Sequence, residues 1–157
     1  MDMRFIADTN VGKLAKWLRI MGYDTLFFRN IDDASLVEIA LKDNRILLTR
    51  DTFIPRRKKV AVGMVTAILI TREQPEGQME QLMQEVVLDV HLHPFSRCIE
   101  CNEPLFARSK EEIRSMVPAY VFQTQDSFMQ CPCCNRVYWR GTHWERMKKK
   151  LEQMERN

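Results

Sequence analysis

For its first 97 residues this 157-residue chain has no cysteine, and for its first 90 no histidine. That part can rely on neither disulfides nor zinc-type ligands and has to fold on an apolar core of its own. Any metal held there must sit on oxygen donors. Glycine and proline are scarce, at 5 and 6 residues, which argues against long disorder, and no Gly-rich phosphate loop or Ser-His-Asp pattern stands out. No stretch approaches the roughly 20 apolar residues of a membrane helix. The opening MDMRFIADTN lacks the apolar run of a signal peptide. The expectation is a cytoplasmic protein, without membrane association, whose thiols stay reduced. Excess charge is also missing. Residues 1–93 hold 13 Lys/Arg against 13 Asp/Glu and the remainder 11 against 8, so nucleic-acid binding has to rest on local clusters.

The cysteines that are present are arranged in pairs. Cys98/Cys101 and Cys131/Cys134 are two C-x-x-C knuckles with 29 residues between them. This spacing can place four thiolates tetrahedrally around one Zn2+, as structural zinc ribbons do. Cys133 is left over, which counts against a disulfide framework. A closed four-cysteine site has no open coordination position, so its role is structural. The chain therefore divides at about Pro94, into residues 1–93 and a zinc-ribbon module with a C-terminal helix in 94–157.

In the first part, apolar strands alternate with amphipathic helices. Arg4–Ala7, Thr25–Phe28, Arg45–Thr49 and Thr66–Ile70 read as strands. Gly12–Met21, with Gly22 as C-cap, a segment capped by Asp32 or Asp33, and Gln78–Leu92 read as helices. Pro55 and the following RRKK suggest a short basic helix. Such alternation calls for an α/β fold, a parallel sheet flanked by helices. In the second part, Ala119–Gln123 and Arg136–Arg140 read as strands, Lys110–Met116 as a turn or two of helix, and the chain from Thr142 as a helix with Trp144, Met147, Leu151 and Met154 on one side.

Right-handed crossovers place every strand's carboxyl end along one sheet edge, where ligands of open α/β sheets bind. Asp8 and Asp51 each follow a strand, and Asp33 opens a helix at the same edge. Each alone has a bland explanation, as a strand end or a helix cap. Together they make a hard, oxygen-only site suited to Mg2+ or Mn2+. Such a site supports in-line attack on a phosphodiester. Glu38 lies one to two turns further along the helix and is a candidate fourth acid.

FIADTNVGKLAKWLRIMGYDT, DDASLVEIALKDNRILLTRDTF and CPCCNRVYWRGTHWERMKKKLEQM closely resemble the Mut-seven carboxy-terminal RNase family, which joins a PIN-like nuclease fold to a zinc ribbon. The blocks GKLAKWLR and YWRGTHWERM carry the resemblance most specifically. It implies Mg2+- or Mn2+-dependent hydrolysis of RNA by an endoribonuclease. Asp8 matches the acid after the first strand, Asp33 the acid opening the helix before LVEIA, and Asp51 the acid of LLTRD. Residues 52–71 contain no acid, so a fourth ligand falls to Glu38 or water.

Lys13, Lys16, Arg50, Arg56 and Arg57 are candidate RNA contacts, with Lys58 and Lys59 extending the cluster; the alternative is a solvated helix face. Trp17 is expected in the core. Arg136, Tyr138, Trp139 and Arg140 could form a ribbon surface for RNA, a protein or a ribonucleoprotein partner. His91 and His93 read as linker residues and His143 as a cap or packing residue. The rival reading is a non-catalytic RNA-binding or protein-interaction module that keeps the PIN-like fold.

Overall fold

The computed structural model describes residues 3–91 and 93–156. They group into two units: residues up to Leu18 with Tyr23–Leu88, and Arg19–Gly22 with the chain from Asp89 onward.

In the first unit β1 (Phe5–Ala7) leads through a 3-10 turn at Thr9–Val11 into α1 (Gly12–Ile20), whose last two residues count with the second unit. There follow β2 (Thr25–Phe27), α2 (Asp33–Lys42), β3 (Ile46–Thr49), a 3-10 turn at Ile54–Arg56, α3 (Lys58–Ala61), β4 (Ala67–Leu69) and α4 (Pro75–Glu85). The four strands are parallel, in the order β2-β1-β3-β4. β1 pairs Phe5 with Thr25 on one side and with Ile46 on the other.

Strand alternation sends Ile6 and Leu47 to one face, where they join Leu36, Val37 and Ala40 of α2 with Ile54 and Val65. Leu14, Ala15 and Leu18 of α1 and Met79 and Leu82 of α4 are also buried. At the amino ends of the strands, Arg45 is 8% exposed. Its Nη1 donates to the Phe5 carbonyl at 3.1 Å and to Asp24 Oδ1 at 2.8 Å. A buried cation is tolerable when paired in this way.

The helix expected over Gln78–Leu92 is displaced. It starts at Pro75, whose missing N–H costs nothing in the first turn, and ends at Glu85. Val86 is extended, and the β-branched pair Val86-Val87 does not continue the helix. Leu92 lies outside the described residues.

The second unit contains β5 (Phe106–Arg108), α5 (Ala119–Thr124), β6 (Phe128–Gln130), β7 (Val137–Tyr138) and α6 (Thr142–Arg156), with a 3-10 turn at Arg114–Met116. The strands form an antiparallel sheet in the order β5-β6-β7. Ala119–Gln123 is thus helical rather than a strand. Pro118 stands at its N-cap, and Val121 joins Ile113 and Phe128 in a buried cluster, so packing overrides the β-propensity of AYVFQ. On the side away from β7, β6 pairs with β5, directly after the first knuckle. α6 buries Trp144, Met147 and Leu151 as expected, and Phe95 meets the Trp144 ring edge-on at 5.0 Å. Gly22 has φ +97°, and a Cβ there would lie 2.2 Å from the His93 carbonyl oxygen, so only glycine fits. Among the described residues, no helix is long and apolar enough to cross a membrane.

Candidate functional site: an acidic sheet edge and a four-thiol cluster

The strand order reverses direction between β1 and β3, and such a switch point opens the crevice in which α/β sheets take ligands. Asp8 follows β1 and Asp51 follows β3, so both stand at this point. The Asp8 N–H extends the ladder by donating to the Leu48 carbonyl at 2.8 Å. Asp8 is 6% exposed. Its Oδ1 accepts from the Thr9 N–H at 2.7 Å, and its Oδ2 from the Thr49 hydroxyl at 2.7 Å. The same Thr49 hydroxyl accepts from the Asp51 N–H at 3.0 Å. One buried oxygen therefore ties the two acidic loops together. A second tie is the Arg50 N–H, which donates to Asn10 Oδ1 at 3.1 Å.

Thr49 and Asn10 are residues that sequence reasoning missed. Thr49 reads as the last residue of an apolar strand, and Asn10 as a loop polar residue. Both follow from pairing β1 with β3, which local pattern does not specify.

Asp33 arrives on α2. Asp32 is the cap of this helix: its Oδ1 accepts from the Ser35 N–H at 2.7 Å and its Oδ2 from the Ser35 hydroxyl at 2.9 Å. These bonds hold the Asp32 carboxyl below its usual range. The Asp33 side chain is thereby released from capping. Desolvation pushes its carboxyl up, and the charges of Asp51 and Asp8, with a hydrogen bond to Asp51, push it further; the Arg57 guanidinium works in the opposite sense. A carboxyl raised by two neighbouring carboxylates marks a concentration of negative charge, which a hard cation relieves. The donor set fits Mg2+ or Mn2+.

Glu38 is bound elsewhere: its carboxylate pairs with the Lys59 ammonium. Lys59, expected to extend the basic cluster, thus has an acid partner. Arg56 and Arg57 remain exposed, as do Lys13 and Lys16 on α1, and Arg50 is half-buried with its Nε enclosed and unbonded. Trp17 is half-buried rather than a full core residue.

In the second unit Cys98, Cys101, Cys131 and Cys134 bring their sulfurs within 4.8 Å of one another. Among the described residues they are the only group of three or more Cys, His, Asp or Glu closed enough to hold an ion; the aspartates are not so tightly gathered. The two knuckles are built alike. Asn102 N donates to the Cys98 carbonyl at 2.9 Å and Asn135 N to the Cys131 carbonyl at 3.0 Å. Both asparagines have φ 65°, the left-handed conformation that asparagine tolerates best after glycine. Backbone N–H groups of Cys101, Cys133 and Cys134 point at the knuckle sulfurs, at 3.4–3.5 Å.

Burial would raise the Cys134 thiol, but hydrogen bonds from the Arg136 backbone and side chain, and from Cys101 and Cys98, lower it to about 6. Burial pushes Cys101 and Cys131 up. A thiol set already biased toward one thiolate, ringed by N–H donors, fits Zn2+. Cys133 is exposed and lies outside the cluster.

Of the ribbon surface expected from Arg136, Tyr138, Trp139 and Arg140, the two arginines are exposed and the two aromatics are engaged within the unit. The Tyr138 hydroxyl lies 3.1 Å from Cys98 Sγ and accepts from the Ile99 N–H at 3.2 Å. Trp139 sets its ring against Phe128, at 6.5 Å. Arg140 is exposed. His91 lies 3.8 Å from Glu152, and His143 is exposed at the start of α6.

A parallel sheet with acids at its switch point, followed by a four-thiol ribbon, is what a family match now accounts for: the Mut7-C RNAse domain model covers residues 3–151. The chain belongs to the Mut7-C RNAse domain family. Membership gives it a nuclease-type function, with RNA as the implied substrate. The match spans both units, so the ribbon is part of the family's domain. Neither curated proteins nor solved structures gave a match.

Proposed function

We propose that the chain is an endoribonuclease that hydrolyses RNA phosphodiester bonds with the aid of Mg2+ or Mn2+ held by Asp8, Asp33 and Asp51. The observation that carries this reading is the junction of Asp8 and Asp51 through the Thr49 hydroxyl, with Asp33 close enough for its carboxyl to be raised by both. When bound, the cation supplies Lewis acidity toward water and phosphate oxygen.

The chain's own groups do the rest. Asp8, buried and doubly hydrogen-bonded, is the rigid ligand. Asp33, from the first turn of α2, and Asp51, from the loop after β3, complete the oxygen set. Arg57, which offsets part of the charge at Asp33, and Arg50, next to Asp51 in the chain, would neutralise phosphate. Lys13, Lys16 and Arg56 extend the contact along the strand. Zn2+ on Cys98, Cys101, Cys131 and Cys134 holds the ribbon together and takes no part in the chemistry. The ribbon would engage RNA or a protein partner, and the cytoplasm supplies the reducing conditions that the thiols need.

The test is cleavage of circular RNA, which has no ends, by the purified protein with Mg2+ or Mn2+. Linear product that disappears in Asp8→Asn and Asp51→Asn supports the reading; cutting unchanged in both variants sinks it. A second reading, RNA binding without catalysis, is favoured by the engagement of Glu38, the candidate fourth acid, with Lys59. RNA binding with no product at any Mg2+ or Mn2+ concentration would select it.

A further inference from the structure

Two residues past Asp51 the chain exposes an aromatic ring. Phe53 is 65% exposed, and a lone exposed apolar side chain is ordinary. Its setting is not. The Phe53 N–H donates to Asp51 Oδ1 at 2.8 Å, so one tight turn fixes both the carboxylate and the root of the ring. The next residue, Ile54, is fully buried in the cluster with Ile6, Leu36 and Leu47. Phe53 is therefore held from both sides while its ring points outward. Arg56 places its guanidinium carbon 5.3 Å from the ring centroid. The ring is thus backed by a cation and keeps open aromatic surface beside the acidic edge.

An open aromatic face paired with arginine is the usual means of binding single strands without reading sequence. Every base has a π face to stack on it, and the cation adds attraction to the ring and to phosphate. A duplex keeps its bases inside the helix and offers the ring no such face.

We propose that Phe53, backed by Arg56, is a stacking platform that seats an unpaired nucleobase next to Asp51, so that the site takes single-stranded rather than double-stranded RNA. This rests on the nuclease reading for the placement of the scissile phosphate, but not for the stacking itself. Arg56 then acts through the ring as well as on phosphate.

Binding and cleavage separate the two ideas. In full-length Asp8→Asn protein, fluorescent single-stranded RNA is expected to bind more tightly than a duplex of the same sequence. Adding Phe53→Ala should weaken single-strand binding about tenfold and leave duplex binding unchanged. Phe53→Trp should keep the affinity, and the emission that it adds should be quenched as single strands bind. Single-strand affinity that survives Phe53→Ala, or added emission that ignores RNA, overturns the platform and leaves the ring to a protein partner. Binding as expected without cleavage by the unmutated protein keeps the platform and rejects the nuclease. Cleavage with an unchanged KM in Phe53→Ala keeps the nuclease and rejects the platform.

Discussion

Thr49 donates its hydroxyl proton to Asp8 Oδ2 at 2.7 Å across the β1–β3 pair, with no solvent exposure of its own. The same oxygen receives the Asp51 N–H. A threonine without acid-base chemistry thereby sets the relative placement of two acids that are 43 residues apart in the chain. It acts as a positioning residue.

Thr49→Val keeps the shape of the side chain and removes both bonds. It leaves a buried carboxylate oxygen and a backbone N–H without their partner, at a cost of about 1–3 kcal/mol. The expected result is a lower Tm, together with a higher Mn2+ concentration for half-maximal RNA cleavage. An unchanged metal requirement would show that Asp8 needs no such support.

Asp32 and Asp33 are neighbours with opposite expected behaviour. Asp32 is held below the usual carboxylate range by Ser35, so its contribution to stability is present above pH 3.8 and lost as pH falls through its lower folded value. Asp33 is raised by burial and by Asp51 and Asp8, so ionising it costs stability at neutral pH, and the cost disappears as pH falls below 3.8. Asp32→Ala should therefore lower Tm and preserve cleavage. Asp33→Asn should raise Tm at neutral pH, lose that gain in acid, and abolish cleavage. Thermal melts from pH 3 to 8 alongside an activity assay decide the matter.

Glu38 is expected to be dispensable. Its pair with Lys59 is exposed, 59% on the Glu38 side chain, and worth no more than about 1 kcal/mol. Glu38→Gln should leave both Tm and kcat near the unmutated values. A loss of activity comparable to that of Asp51→Asn would instead make Glu38 the missing fourth ligand.

The ribbon should lose metal when its supports are cut. Tyr138→Phe removes the hydroxyl beside Cys98 Sγ and is expected to weaken Zn2+ binding about tenfold to a hundredfold, read by competition with a chromogenic chelator. Cys133→Ser, outside the cluster, should change nothing in that assay. Equal effects of the two variants would show that Tyr138 only fills space.

Much of this protein can be read along the chain because the signals concerned are local. Two C-x-x-C pairs mark the thiol cluster, since each knuckle is one short turn. The four-strand alternation marks the parallel sheet, since apolar runs and helical stripes have different periods. Asp8 and Asp51 are legible as acids at strand ends. What local pattern misread were segments whose fate packing decides: AYVFQ has strand composition but sends Val121 into a helical cluster, and Val86 has helical spacing but sits in extended chain.

The division between the two acids of DDASL shows the same limit at the site. Sequence by itself determined that an aspartate caps α2 and that Asp8 and Asp51 follow parallel strands. Only the tertiary structure decided that Asp32 caps while Asp33 feels the charges of Asp51 and Asp8, that Thr49 joins the two loops, and that Lys59 draws Glu38 away. The hydrogen bonds and ion pair among them join residues 2 to 41 apart in the chain. Hydrogen bonds and ion pairs act over a few ångströms in space, and which side chains come that close depends on strand order and helix docking, which no single segment encodes.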